Sequence, residues 1–139
     1  MSTVIFPADF EQLDAIRDFV GEAASQAGLS GKEIYAVQLA ADEACSNVIE
    51  HAYKDMHGGQ IEITCESRPA EVRIVIHDHG ALFDMNKVKK PDITQRLEDR
   101  EVGGLGVYFI HKLMDEVHFE SKENEGNTLT MVKRSSGGA

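Results

Sequence analysis

Three residues along one segment, Glu43, Asn47 and His51, stand at i, i+4 and i+8. On a helix each step of four carries the side chain roughly 40° further round the axis, so the three project along one flank. A carboxylate, a carboxamide and an imidazole aligned in this way can hold a hydrated divalent ion and orient a nucleophile. Mg2+ keeps several waters and takes few protein oxygens, and Asn47 offers one. The alternative is a solvated polar face, which most helices carry. A second candidate is Asp78, which shares the parity of Val72, Ile74 and Ile76. On a strand it points to the buried side, where a carboxylate must be paired or must meet a donor from a ligand. Gly80 beside it would let such a ligand approach the backbone. An Asp closing a turn is the plainer alternative.

A third candidate is Gly103-Gly104-Leu105-Gly106 at the mouth of a helical pattern. Free N–H groups at a helix N-terminus attract anions, and glycines let a phosphate come close. The spacing matches neither GxxxxGK[ST] nor GxGxxG, and a glycine hinge before a helix remains the alternative. The preceding stretch, 84–101, has five basic residues (Lys87, Lys89, Lys90, Arg96, Arg100) balanced by five acids. A locally neutral loop in an acidic protein suits a cover over a phosphate chain, or simply a solvated loop.

These residues need elements to hold them. Phe10, Leu13, Ile16, Phe19, Val20 and Ala23 recur at helical spacing and predict a helix from Asp9 to about Gln26, closed by Gly28. Ser30 with Glu33 three residues on forms a capping box. The helix it opens buries Ile34, Val37, Ala41, Ala44 and Val48 and runs to about Tyr53. Period-two alternation then marks strands at 61–66 and 72–77 joined by a turn at 67–70. A third helix follows the glycines with Val107, Ile110, Leu113 and Met114 as its apolar residues. Val117 and Phe119 begin a strand, residues 123–127 turn, and Leu129 and Met131 lie on the last strand. Thr3–Phe6 is a short first strand. The order β-α-α-β-β-α-β-β predicts an α+β two-layer sandwich, a mainly antiparallel mixed sheet with helices on one face. One domain is expected over 1–134, with 135–139 (SSGGA) a disordered tail.

Composition bounds the function. The 139 residues carry 14 Lys+Arg against 24 Asp+Glu, a formal charge of −10. That balance argues against broad nucleic-acid binding and against docking on an anionic membrane. No apolar run approaches the roughly 18 residues of a membrane span, and the first residues do not resemble a signal peptide. A cytoplasmic protein is expected. Cys45 and Cys65 sit among apolar neighbours and read as buried free thiols, while the six histidines show no zinc-binding spacing.

The candidate residues also carry a resemblance. AADEACSNVIEHAY is similar to the N-box of the ATPase superfamily shared by sensor histidine kinases, gyrase and heat-shock chaperones, and DHGALFD to its first glycine box. GGLGVYFIHKLMDEV resembles the second glycine box in the form found in bacterial anti-sigma-factor serine kinases, and GNTLTMVKR the closing strand. The likeness runs from Phe6 to Arg134. It implies a Bergerat-type ATP-binding fold. It also implies that Asn47 ligates Mg2+ on the ATP phosphates and that Glu43 is the general base or orienting group for an attacking hydroxyl. Asp78 would accept the adenine amino group beside Gly80. Gly104, Leu105 and Gly106 would line the phosphates, with 84–101 as a lid and Thr128 as an adenine-side contact. His51 would brace the helix end. Ala81-Leu82 stands where the wider superfamily has its second glycine. The implied activity is ATP-dependent phosphorylation of a small anti-anti-sigma-type protein on Ser or Thr. A sigma factor and a homodimer are further implied partners. The alternative is a non-catalytic ATP-binding module that switches partners.

Overall fold

The computed structural model describes residues 1–54, 56–83 and 110–136. Strand β1 (Ser2–Pro7) leads through a single 3-10 turn (Phe10–Gln12), capped by the Asp9 carboxylate, into helix α1 (Leu13–Gln26). Gly28 has φ +86°, which stops the helix. Helix α2 (Gly31–Asn47) follows, and the chain tightens into a π-helical turn over Val48–Ala52. Strands β2 (Gln60–Arg68), β3 (Glu71–Asp78), β4 (Glu116–Lys122) and β5 (Gly126–Arg134) join β1 in one sheet. Among the described residues its order is β1-β2-β3-β5-β4, and the four pairings are antiparallel. The expected α+β sandwich is therefore found, but its described pairings are antiparallel throughout and not mixed, since the strands follow one another by hairpins or return across the sheet.

The alternation explains the layers. Ile61, Ile63 and Cys65 on β2, Val72, Ile74 and Ile76 on β3, and Leu129 and Met131 on β5 are all buried against the helices. Their neighbours Glu62, Thr64, Arg73 and Thr130 face the other way. From the helices, Ile16 and Val20 of α1 and Val37, Ala41 and Ala44 of α2 enter the same core. The buried face of α2 is wider than the expected stripe and takes in Ala36, Ala40 and Cys45, while Ile34 is only half-buried. The reason is that α2 packs on α1 as well as on the sheet, and small side chains let the helices close up. A Cβ on Gly21 of α1 would meet Gln38 Nε2 of α2 at 2.5 Å.

The capping box of α2 is formed, Glu33 N–H on Ser30 Oγ at 3.2 Å and Ser30 N–H on Glu33 Oε1 at 2.8 Å. The other Glu33 oxygen accepts from Ser136 N–H at 2.7 Å and from its hydroxyl at 3.1 Å. Ser135 N–H also donates to the Ala70 carbonyl at 2.9 Å. Ser135 and Ser136, expected in a disordered tail, are thus tied to the domain, because a buried carboxylate with a spare oxygen collects donors. Hydrogen bonds from Ser136 and Ser30 hold the Glu33 carboxyl down to about 2, the two backbone N–H groups contributing most.

Two further expectations change. The last hairpin turns at 123–125, so Asn127 lies in β5 opposite Asp78 and not in the turn. The 67–70 turn is tighter, with Ser67 and Arg68 still in β2 and Ala70 taking φ 63°. Of the third helix, 110–113 are described, with Ile110 and Met114 buried. The 84–101 segment and Gly104, Leu105 and Gly106 lie outside the described residues.

Candidate active site

Glu43, Asn47 and His51 do not stay equivalent. Glu43 is half-buried, Asn47 is 2% exposed, and His51 is open to solvent. The π-helical turn begins at Val48, directly after Asn47, so the step from Asn47 to His51 is not that of an α-helix. Single π turns of this kind occur often at functional sites. The His51 ring lies against Phe83, centroids 5.7 Å apart, and Phe83 in turn against Phe119 at 5.4 Å. His51 therefore joins the end of α2 to the segment that leaves β3. Burial pushes the Glu43 carboxyl above its ordinary value, and the charges of Asp42 and Glu50 add to it. A carboxylate in that state is a better proton acceptor than an exposed one.

Asp78 ends β3 on the buried parity and is 1% exposed. Its Oδ1 accepts from Gly80 N–H and from Asn127 Nδ2, each at 2.9 Å. Burial raises its carboxyl, against the lowering effect of those two donors and of His77 and His79. Oδ2 has no partner. Among the described residues, only Asn47 Nδ2 and Asp78 Oδ2 are buried side-chain polar atoms without a hydrogen bond. Orphaned groups of this kind cost about 1–3 kcal/mol each in a finished core. Both fall on residues that the sequence reading singles out as ligand contacts.

The two orphans are joined through the backbone. Ala81 N–H donates to the Ala52 carbonyl at 2.7 Å, fastening the loop after Asp78 to the π turn after Asn47. Gly80 is the point of closest approach, since a Cβ there would stand 2.4 Å from Ala52 O. Its lack of a side chain is thus required by the protein's own packing. Tyr53 OH donates to the Gln60 carbonyl at 2.7 Å and accepts from His79 N–H at 3.0 Å, bracing the same corner. Thr128 pairs with His77 in register and lies on the opposite face of β5 from Asn127. The structure brings Asn127 to Asp78 and does not bring Thr128 there. Sequence reasoning missed Asn127, although its parity with Leu129 and Met131 was available as a signal.

The matching family model is the histidine kinase-like ATPase domain, over residues 6–133. The chain belongs to that family. Its relatives include the serine-protein kinase RsbW of Halalkalibacterium halodurans, 33% identical over 131 residues, which span 91% of this chain and 78% of that protein. Among solved structures, the RsbU and RsbW domains of a Mycobacterium tuberculosis protein superpose with a TM-score of 0.62 at 17% identity, over 96% of this chain and 32% of that longer one. The catalytic domain of the histidine kinase ThkA gives 0.56 at 17% identity, over 97% of both. These two likenesses concern the fold. Among the described residues no helix is long and apolar enough to cross a membrane.

Asn47 and Asp78 suit the ligands of such a domain. A half-turn of the orphaned Asn47 amide presents a neutral oxygen, a donor of the kind a hard, largely hydrated cation takes. The free Asp78 oxygen asks for an N–H donor.

Proposed function

We propose that this chain is a cytoplasmic ATP-dependent serine/threonine protein kinase of the anti-sigma type, whose substrate is a small anti-anti-sigma-like protein. The observation that carries the reading is the pair of buried, unpartnered atoms on Asn47 and Asp78. In it, Asp78 Oδ2 accepts from the adenine amino group. Asn47 holds Mg2+, which when bound offsets the charge of the phosphates. By the family resemblance, Gly104, Leu105 and Gly106 are the residues assigned to those phosphates. Phosphoryl transfer is mostly positioning and electrostatics. Here the substrate hydroxyl oxygen forms a bond to the γ-phosphorus as the bond to the β,γ-bridging oxygen breaks. ADP leaves with that electron pair, and Glu43 takes the hydroxyl proton. Holding of a sigma factor and homodimerisation belong to the same proposal. RsbW, the name borne by the Halalkalibacterium halodurans relative, is that of a serine-protein kinase, which supports it.

A non-catalytic partner-switching module is the competing reading, and the raised Glu43 carboxyl favours the enzyme. The deciding experiment is transfer of labelled γ-phosphate from ATP to a purified anti-anti-sigma domain, with Glu43→Gln beside the wild type. The expected result is a labelled partner with wild type and at least ~100-fold less with Glu43→Gln, in line with loss of a general base, while ATP binding is kept. Nucleotide-dependent complex formation with no label would establish the module instead.

A further inference from the structure

Asn127 is as buried as Asp78, at 1% exposed, and the chemistry above makes no use of it. Its carboxamide binds four different residues. Nδ2 donates to Asp78 Oδ1 at 2.9 Å and to the Ala81 carbonyl at 3.0 Å. Oδ1 accepts from the Ser121 hydroxyl at 2.7 Å and from Phe83 N–H at 3.3 Å. A primary amide has two donor hydrogens and one oxygen with two lone pairs, so every valence is met in this orientation. Turned over, the amide would set its oxygen against a carboxylate and a carbonyl, and its NH2 against the Phe83 N–H. Since Gly80 N–H also donates to Asp78 Oδ1, that oxygen is fully committed. Oδ2 is the one acceptor left.

We propose that Asn127 is a specificity-determining positioning residue. By occupying Asp78 Oδ1 it leaves Oδ2 as an acceptor that selects a purine with a 6-amino group over one with a 6-oxo group. The inference rests on the reading of Asp78 as the base-recognising group. A 6-amino group offers Oδ2 a hydrogen, whereas a 6-oxo group offers it a lone pair, and a buried site rejects the mismatch strongly. Without Asn127, the Asp78 carboxylate loses its side-chain donor and is free to rotate or to take up a proton. A protonated oxygen donates to a 6-oxo group, so discrimination falls even where a nucleotide still binds. Ser121 acts one bond further out, by holding the amide oxygen.

The test is calorimetric binding of ADP and of inosine 5′-diphosphate to the whole chain, for wild type, Asn127→Leu, Ser121→Ala and Asp78→Asn. Wild type is expected to prefer ADP. Asn127→Leu should narrow that preference about tenfold or more, the size of one lost charge-assisted hydrogen bond. Ser121→Ala, a milder change on an edge strand, should narrow it a few-fold by loosening the same amide. A folded Asn127→Leu with an unchanged ratio overturns the proposal. If Asn127→Leu does not fold, an unchanged ratio in Ser121→Ala does the same. Loss of ADP binding in Asp78→Asn, with the wild-type ratio kept in Asn127→Leu, keeps the reading of Asp78 and sinks the role of Asn127. A wild type that binds both nucleotides equally, or neither, removes both.

Discussion

Replacing Gly80 by alanine tests how tightly the two halves of the site are clamped. The added Cβ would lie 2.4 Å from Ala52 O, 2.7 Å from its carbonyl carbon and 2.8 Å from its Cβ. These are backbone atoms and a methyl, none of which can rotate aside. Ordinary contact begins near 3.4 Å, so the loop must withdraw from the π turn by about 1 Å. That withdrawal breaks the Ala81-to-Ala52 hydrogen bond and draws Gly80 N–H away from Asp78 Oδ1. Gly80 is not among the residues with positive φ, so backbone strain adds nothing. Overpacking at about 1–3 kcal/mol and one hydrogen bond at about 1 kcal/mol give a loss of roughly 2–4 kcal/mol. For a chain of this size that lowers Tm by about 6–15 °C. The assay is urea unfolding followed by circular dichroism, with Gly31→Ala as the control. Gly31 has no atom within 4 Å of a would-be Cβ and opens α2, where alanine is favoured. Its variant should be neutral or slightly stabilised. Calorimetry on folded Gly80→Ala should also show weakened ADP binding, because Asp78 loses one of its donors. A Gly80→Ala midpoint equal to those of wild type and Gly31→Ala would refute the clamp.

Other perturbations have definite signs. Glu33, held at about 2 against an ordinary 4.5, stabilises the fold fully above about pH 5 and loses that effect as the pH falls through 4.5 toward 2. Urea midpoints of wild type and Glu33→Gln should therefore differ at pH 7 and converge at low pH, and a gap independent of pH would contradict the linkage. Asp78 is shifted the other way, so its charge opposes folding once the pH rises past its ordinary 3.8. Asp78→Asn should equal or exceed wild type in stability at neutral pH while calorimetry finds no adenine-nucleotide binding; a clear fall in stability would count against an orphaned carboxylate. Asn47→Ala should retain nucleotide but lose the Mg2+ dependence of its affinity, seen by titrating ADP with and without the metal. Burial pushes the Cys45 thiol far up and the Cys65 thiol to about 12, so a thiol reagent at pH 8 should label neither until urea unfolds the chain.

Much of this protein follows from local rules. Ser30 and Glu33 start α2 because a hydroxyl and a carboxylate three residues apart satisfy each other's backbone, and they do so in the structure. The apolar alternation at 61–65 and 72–76 sets both strands and puts Asp78 inside, since side chains on a strand change face at every residue. Family membership was legible for a related reason, as the residues flanking Asn47 and Asp78 form contiguous runs. The arrangement around them was not. Asn127 reaches Asp78 across 49 positions of sequence, Tyr53 reaches His79 across 26, and Ser136 reaches Glu33 across 103. No periodicity encodes such contacts. Register decided that Asn127 and not Thr128 meets Asp78, because one residue of slip exchanges the two faces of β5. The π turn decided that His51 leaves the line of Glu43 and Asn47 and turns to Phe83. The sequence by itself determined which groups are present and which strand face carries them. Only the tertiary structure decided which of their atoms are satisfied and which are left free, because a hydrogen bond between distant segments depends on how helices and sheet pack and not on local spacing.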